Sequence, residues 1–242
     1  MDNVEKLKKY EELLKKRRAD SFCARYGFVN PWCDEELRAE DERRSAVDFI
    51  DFQPDCPPQH ERNLNVDVLI LGQDFANVES VQVFVRTGRW QGKGFFNDNL
   101  NPIKKALGLE KRSFTSNLVP FFKQRSMSAG IPQAVIKHCA KEYGQELIDI
   151  VQPKIAYLLG KRVTLAMFNY YKLDVSKPFY EMVNAPPQRI SGGIWLVPVS
   201  HPGGMGWANR KPQQGVADRK EQHLADWKRG SDLLAMANPT SV

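Results

Sequence analysis

The run VDVLILG, from Val66 to Gly72, constrains the fold more than any other part of the chain. It is almost continuously apolar and short, which suits a strand covered on both faces, as the strands of parallel sheets are. It stops on Gly72-Gln73-Asp74, and such an ending either delivers a carboxylate to a site or only marks a turn. SFTSNLVPFF, PKIAYLLG and GIWLVPVSHP are three further strand candidates, and the helical windows NPIKKALGLE, PQAVIKHCAKEYGQELIDIV and KRVTLAMFNYYKL lie between them. Strands alternating with helices imply right-handed crossovers, and so a three-layer α/β/α sandwich around a central, mainly parallel four-stranded sheet.

Open α/β sheets bind ligands at the carboxyl ends of their strands. If the first strand delivers Asp74 to a site, the other strands should also end on chemically useful residues. The second is expected to end around Ser116-Asn117, the third at Gly160-Lys161 and the fourth at Ser200-His201-Pro202-Gly203-Gly204. Turns favour Asp, Asn, Gly and Ser for backbone reasons of their own, so it is the set rather than any one member that points to a site.

A chain of 242 residues can bury a large core, and about 150 residues per domain allows one domain with an extension. Residues 4–18 read as a solvated amphipathic helix ending in Lys15, Lys16, Arg17 and Arg18, where cations suit the helix dipole. Prolines and charges crowd the segment before Asn65, including QPDCPPQHERN. The expected organisation is a helical and irregular extension over 1–61, an α/β domain over 62–235 and a tail over 236–242. The formal charge of +6 favours a polyanionic partner. Cys23, Cys33, Cys56 and Cys139 form no CxxC pair, which points to free thiols inside a cell. The N-terminal segment lacks the apolar core of a signal peptide, and no run approaches the roughly 20 apolar residues of a membrane span. The expectation is a cytoplasmic protein, or a nuclear one in a cell with a nucleus, without membrane contact.

From Asp67 to Trp227 the chain resembles the uracil-DNA glycosylase superfamily. Gly72-Gln73-Asp74 is similar to the first motif of one branch, GKGFF to the segment carrying a base-stacking phenylalanine, and TSNLVPF to the strand whose asparagine reads the uracil edge. PKIAYLLGKRVTLAMF resembles a strand and helix joined by an "LLG" turn, and His201-Pro202 the last motif. The resemblance implies an enzyme acting on DNA; a monomer without metal or other cofactor is expected, since the cysteines of the iron-sulfur branch are missing.

It also implies roles that the chemistry requires. A base must leave the stack before its bond to the sugar can be broken, at a cost of a few kcal/mol. Phe95, with Phe96 as runner-up, would stack on it. Asn117 carries an amide that can both donate to and accept from uracil. As the bond lengthens the sugar becomes cationic and the base anionic, so the Asp74 carboxylate would stabilise the cation and orient water, while an NH of His201 would stabilise the leaving base. Gln73, Phe75 and Ala76 are the adjoining base-binding positions. In HPGGMGWANR, Met205 would wedge into the gap left by the base with Trp207 as competitor, Gly203 and Gly204 would allow close backbone approach, and Arg210 would contact phosphate. His60, His138 and His223 are expected at the surface or in structural roles.

The chain departs from the family in three places. Phe75-Ala76-Asn77 stands where that branch has Pro-Tyr-His, whose tyrosine blocks the thymine methyl; Ala76 leaves more room. The four-cysteine set of the iron-sulfur branch is missing, and HPGG replaces His-Pro-Ser-Pro. Two other readings stay open: a catalytically silent member that binds nucleic acid or a nucleobase, and an unrelated α/β nucleotide binder, although GQDFAN lacks a GxGxxG or GxxxxGK phosphate loop.

Overall fold

The computed structural model describes residues 1–33, 51–52, 63–74, 77–87, 95–124, 126 and 129–237, with the backbone alone at 51–52, 84–85 and 95–97. In chain order the first elements are α1 (Asn3–Ala19), β1 (Phe28–Val29), β2 (Asp51–Phe52), β3 (Val68–Asp74), α2 (Val78–Thr87), α3 (Phe95–Ala106), β4 (Ser113–Val119) and β5 (Phe122–Lys123). There follow α4 (Gln133–Cys139), α5 (Gln145–Val151), β6 (Ile155–Leu159), α6 (Gly160–Tyr170), α7 (Phe179–Asn184), β7 (Gln188–Arg189), β8 (Trp195–Val199), α8 (Gly204–Asn209) and α9 (Arg219–Ala237). A π-helical turn, Ala140–Gly144, joins α4 to α5 in place of the single uninterrupted helix expected there.

The sheet order is β2-β4-β3-β6-β8-β7. Strands β3, β6 and β8 run parallel, whereas β2 and β7 lie antiparallel to β4 and β8. This is the expected α/β sandwich with its four long strands, extended at each edge by a two-residue strand too short to leave a pattern in the sequence. Two strand ends differ from expectation. β3 continues past Gly72 and carries Gln73 and Asp74 itself, and β4 runs on to Val119, so that Asn117 sits within a strand rather than at its end. Among the described residues, no helix is long and apolar enough to cross a membrane.

The described residues form two compact units, the first drawn from 1–65, 73–93 and 114–151 and the second from 66–72, 94–113 and 152–242. In the first, α1 buries Lys6, Tyr10, Leu13 and Arg17 and leaves Val4 exposed, so its inward face mixes basic and apolar side chains and its basic end is not wholly solvated. Tyr10 packs edge-on against Phe114. The Lys6 ammonium donates to the carbonyls of Val151, 2.6 Å away at the end of α5, and Leu64, which satisfies acceptors that a helix end leaves open. Lys16 pairs with Glu142 and Glu146.

In the second unit, in-register parallel pairing aligns Val68 with Ile155 and Trp195, and Ile70 with Tyr157 and Val197. These side chains form one cluster with Leu100 and Ile103 of α3 and Trp227 and Leu234 of α9. The alternate residues Leu69, Leu71, Ala156, Leu158 and Leu196 are buried as well, and α6 packs on β6 and β8. A strand with both sides buried has to be apolar throughout, as VDVLILG is. At the strand starts, Asp67 accepts from Arg112 and Lys154. Partial burial would raise its carboxyl pKa, but these two cations outweigh that and hold it below the usual range.

Packing is close where Tyr157 meets α9. The Tyr157 hydroxyl donates to the Trp227 carbonyl at 2.7 Å and the two rings stack at 4.4 Å. A Cβ at Gly230 would lie 2.6 Å from that hydroxyl. Gly230→Ala should therefore lower stability by about 1–3 kcal/mol in chemical denaturation. At an unhindered helical position the same change would gain up to about 1 kcal/mol, so the sign of the measured difference reports the packing.

Candidate functional site

The predicted residues fall in both units. In the first, Asp74 ends β3 with its side chain largely buried, and both of its oxygens are engaged. Oδ2 is 2.8 Å from Nζ of Lys123, and Oδ1 accepts from the Gln73 side-chain amide at 2.7 Å. Gln73, expected to contact base, therefore holds the carboxylate of its neighbour. Lys123 belongs to none of the motifs read from the sequence, where its one signal is a cation closing the apolar run LVPFF.

Phe75 and Ala76 lie outside the described residues. Asn77 is buried, accepts from the Ser80 backbone through Oδ1 and from the Val81 N–H through its carbonyl, and so starts α2 as its cap. The asparagine that stands in place of the resembled branch's histidine thus has a local structural use. Asn117 is partly buried in β4, between the buried Ser116 and Leu118.

In the second unit β8 delivers His201 just past the buried Ser200. The Gly203 N–H donates to Nδ1 of His201 at 2.9 Å. An Nδ1 that accepts carries no proton, so this bond favours the neutral tautomer with its hydrogen on Nε2. Glycines make room for this ring. A Cβ at Gly203 would come within 2.9 Å of the imidazole, and one at Gly206 within 2.3 Å of the His201 carbonyl oxygen. The "LLG" glycine, Gly160, has φ +83°, a left-handed turn that starts α6 under the His201 Cβ. By contrast, a Cβ at Gly204 would meet nothing within 4 Å. Asn99 of α3, a residue the sequence reading passed over, donates to the Pro202 carbonyl at 2.7 Å and ties the loop down.

The segment after His201 forms α8. Met205 projects from it at 79% exposure, as a wedge requires. Trp207 does not project; its ring stacks on the buried His223 at 4.2 Å and packs against the core cluster. Arg210 also departs from expectation. Only 4% exposed, it donates through Nε and Nη2 to Asp226 at 2.7 and 2.6 Å and through Nη2 to Asn184 at 2.7 Å. A guanidinium held inward by a carboxylate is a strut for α8, not a phosphate contact. Phe95 and Phe96 open α3, with their side chains outside the description.

Asp20, Cys23 and His138 each bring a potential metal ligand within 4.8 Å of the others. They do not fit a metal as they stand. His138 Nε2 lies 2.5 Å from Asp20 Oδ2, whereas two ligands of a tetrahedral ion bound at about 2.0 Å sit about 3.3 Å apart. The Tyr143 hydroxyl and the N–H of Phe22 also donate to Asp20, so the group is a hydrogen-bonded network in which His138 is structural.

Residues 59–228 match the family described as the uracil DNA glycosylase superfamily, which is well over half of the chain. The chain belongs to that superfamily. A search of curated proteins returned no match. The superfamily is one of DNA glycosylases, hydrolases of DNA repair, and the match takes in β3 with Asp74, β4 with Asn117 and β8 with the His201 loop.

The loop of this superfamily member rests on His223, whose burial lowers its pKa to about 4 against the pull of Asp226. In the unfolded chain the ring takes a proton near pH 6.5. Between these values the unfolded state binds more protons. The contribution is therefore intact above about pH 6.5 and is lost as pH falls toward 4, to a total of roughly 3 kcal/mol. His223→Phe should flatten this part of a stability profile measured by thermal denaturation between pH 7 and 4.5.

Proposed function

We propose that the protein is a DNA glycosylase that hydrolyses the N-glycosidic bond of uracil, or of a related deaminated base, flipped out of DNA. One observation carries the reading: the Gly203 N–H donates to Nδ1 of His201, which favours the neutral tautomer with its hydrogen on Nε2. A neutral NH donor is what a leaving base needs as it becomes an anion, because it stabilises the charge without first having to be protonated. In the same reading Asp74 balances the developing charge on the sugar and orients the water that attacks the anomeric carbon. Asn117 reads the base edge, Phe95 stacks on it, and the protruding Met205 fills the gap in the duplex. No metal or other cofactor takes part, and the enzyme acts as a monomer in the cytoplasm, or in the nucleus of a cell that has one.

A second reading has an observation of its own. Both oxygens of Asp74 are already engaged, and Asn77 is given over to capping α2, which suits a member that binds a base or nucleic acid without cleaving it.

Labelled oligonucleotides carrying uracil, hypoxanthine or xanthine, in single and double strands, separate the two after alkaline cleavage of abasic sites. The first reading expects cleavage that falls about 10²–10³-fold in His201→Ala and at least about 10²-fold in Asp74→Asn. DNA binding with no cleavage of any substrate would favour the second.

A further inference from the structure

The Asp74 site contains a cation that the motif comparison does not assign. Lys123 is only 5% exposed, and its Nζ lies 2.8 Å from Asp74 Oδ2. Its backbone is held on two sides, paired with Phe28 of β1 and bridged to Asn77, three residues beyond Asp74. The Ala129 carbonyl stands 3.5 Å from the same Nζ as a weak further acceptor. All these groups belong to the first unit.

Such a pair is expensive to build. Each ion loses its water, and a partly buried ion pair typically gives the fold no more than an apolar pair of the same volume would. What it does provide is direction. With Oδ2 bound by the ammonium and Oδ1 by the Gln73 amide, the carboxylate is held in one orientation. We infer that Lys123 is a positioning residue of the glycosylase reaction, fixing Asp74 so that it acts by charge and by orienting water. This rests on the reading of Asp74 given above. It assigns Asp74 a division of labour: one oxygen is committed to Lys123, and the attacking water is oriented rather than stripped of its proton at the outset.

The test is a double-mutant cycle on the full chain, with Lys123→Met, Lys123→Arg, Asp74→Asn and the Asp74→Asn/Lys123→Met pair assayed for uracil excision in single turnover and in steady state. The paired variant leaves no buried charge without its partner, so it remains informative if Lys123→Met alone folds poorly, which circular dichroism reports. Lys123→Met should lower kcat about 10²-fold with KM changed less than about threefold, and Lys123→Arg should recover most of the loss. In the Asp74→Asn background, Lys123→Met should cost nothing further, since a positioning residue has nothing left to position. Full additivity of the two changes, or wild-type kcat in a folded Lys123→Met, overturns the proposal while leaving the Asp74 reading intact. Covalent trapping of Lys123 on the sugar by borohydride overturns it as well, because the amine would then be a nucleophile that touches substrate. Equal rates in the wild type and Asp74→Asn, or a wild type that excises no base, overturn both.

Discussion

A parallel strand buried on both faces has no solvent-facing side on which to carry chemistry, so its useful residues are confined to its ends. In the second unit that constraint governs β3, β6 and β8. The in-register rows Val68–Ile155–Trp195 and Ile70–Tyr157–Val197 supply one apolar layer, and Leu69, Leu71, Ala156, Leu158 and Leu196 supply the other. Because the strands run the same way, their carboxyl ends share an edge of the sheet, and β8 brings His201 there. His201 is then held among glycines, with Gly203 against its ring and Gly160 and Gly206 against its Cβ and backbone, and one backbone N–H favours the tautomer protonated on Nε2.

Charge inside the protein tempers what net charge suggested from outside. Lys6, Arg17, Lys104, Lys123 and Arg210 are buried, so part of the basic excess works within the fold. Lys6 satisfies carbonyls at the end of α5, Arg210 braces α8 against Asp226 of α9, and Lys123 holds Asp74. A buried cation is tolerated where acceptors surround it, and each of these three has a carboxylate or carbonyl within hydrogen-bond reach. The surface offered to a polyanion is therefore less basic than the composition alone implies.

The alternation of apolar runs with helical windows made the fold readable, because strands covered on both sides and helices covered on one leave different periodicities. Edge strands β2 and β7, two residues long, carry too little pattern to be seen, and nothing local marks the π-helical turn between α4 and α5. Strand ends were less readable than strand centres. Gly72 looks like a turn in the sequence, yet the backbone stays extended through Asp74, since glycine permits a turn without requiring one. In the HPGG segment, Met205 was legible as the protruding residue, but Trp207 and Arg210 were not separable from it. Aromatic and basic side chains in a loop look alike in sequence whether they face solvent or meet a partner such as His223 or Asp226 more than a dozen positions away.

By itself the sequence determined the sandwich, the strands that carry Asp74 and Asn117 and lead to His201, and membership of the uracil-DNA glycosylase superfamily over residues 59–228. These follow from hydrophobic period and from the order of short motifs, both of which are local properties of a chain. Only the tertiary structure decided the partners: Lys123 for Asp74, the Gly203 N–H for His201, His223 for Trp207 and Asp226 for Arg210. A side chain's charge state, tautomer and exposure depend on what stands within about 4 Å of it, and for most of these residues that neighbour comes from a distant part of the chain.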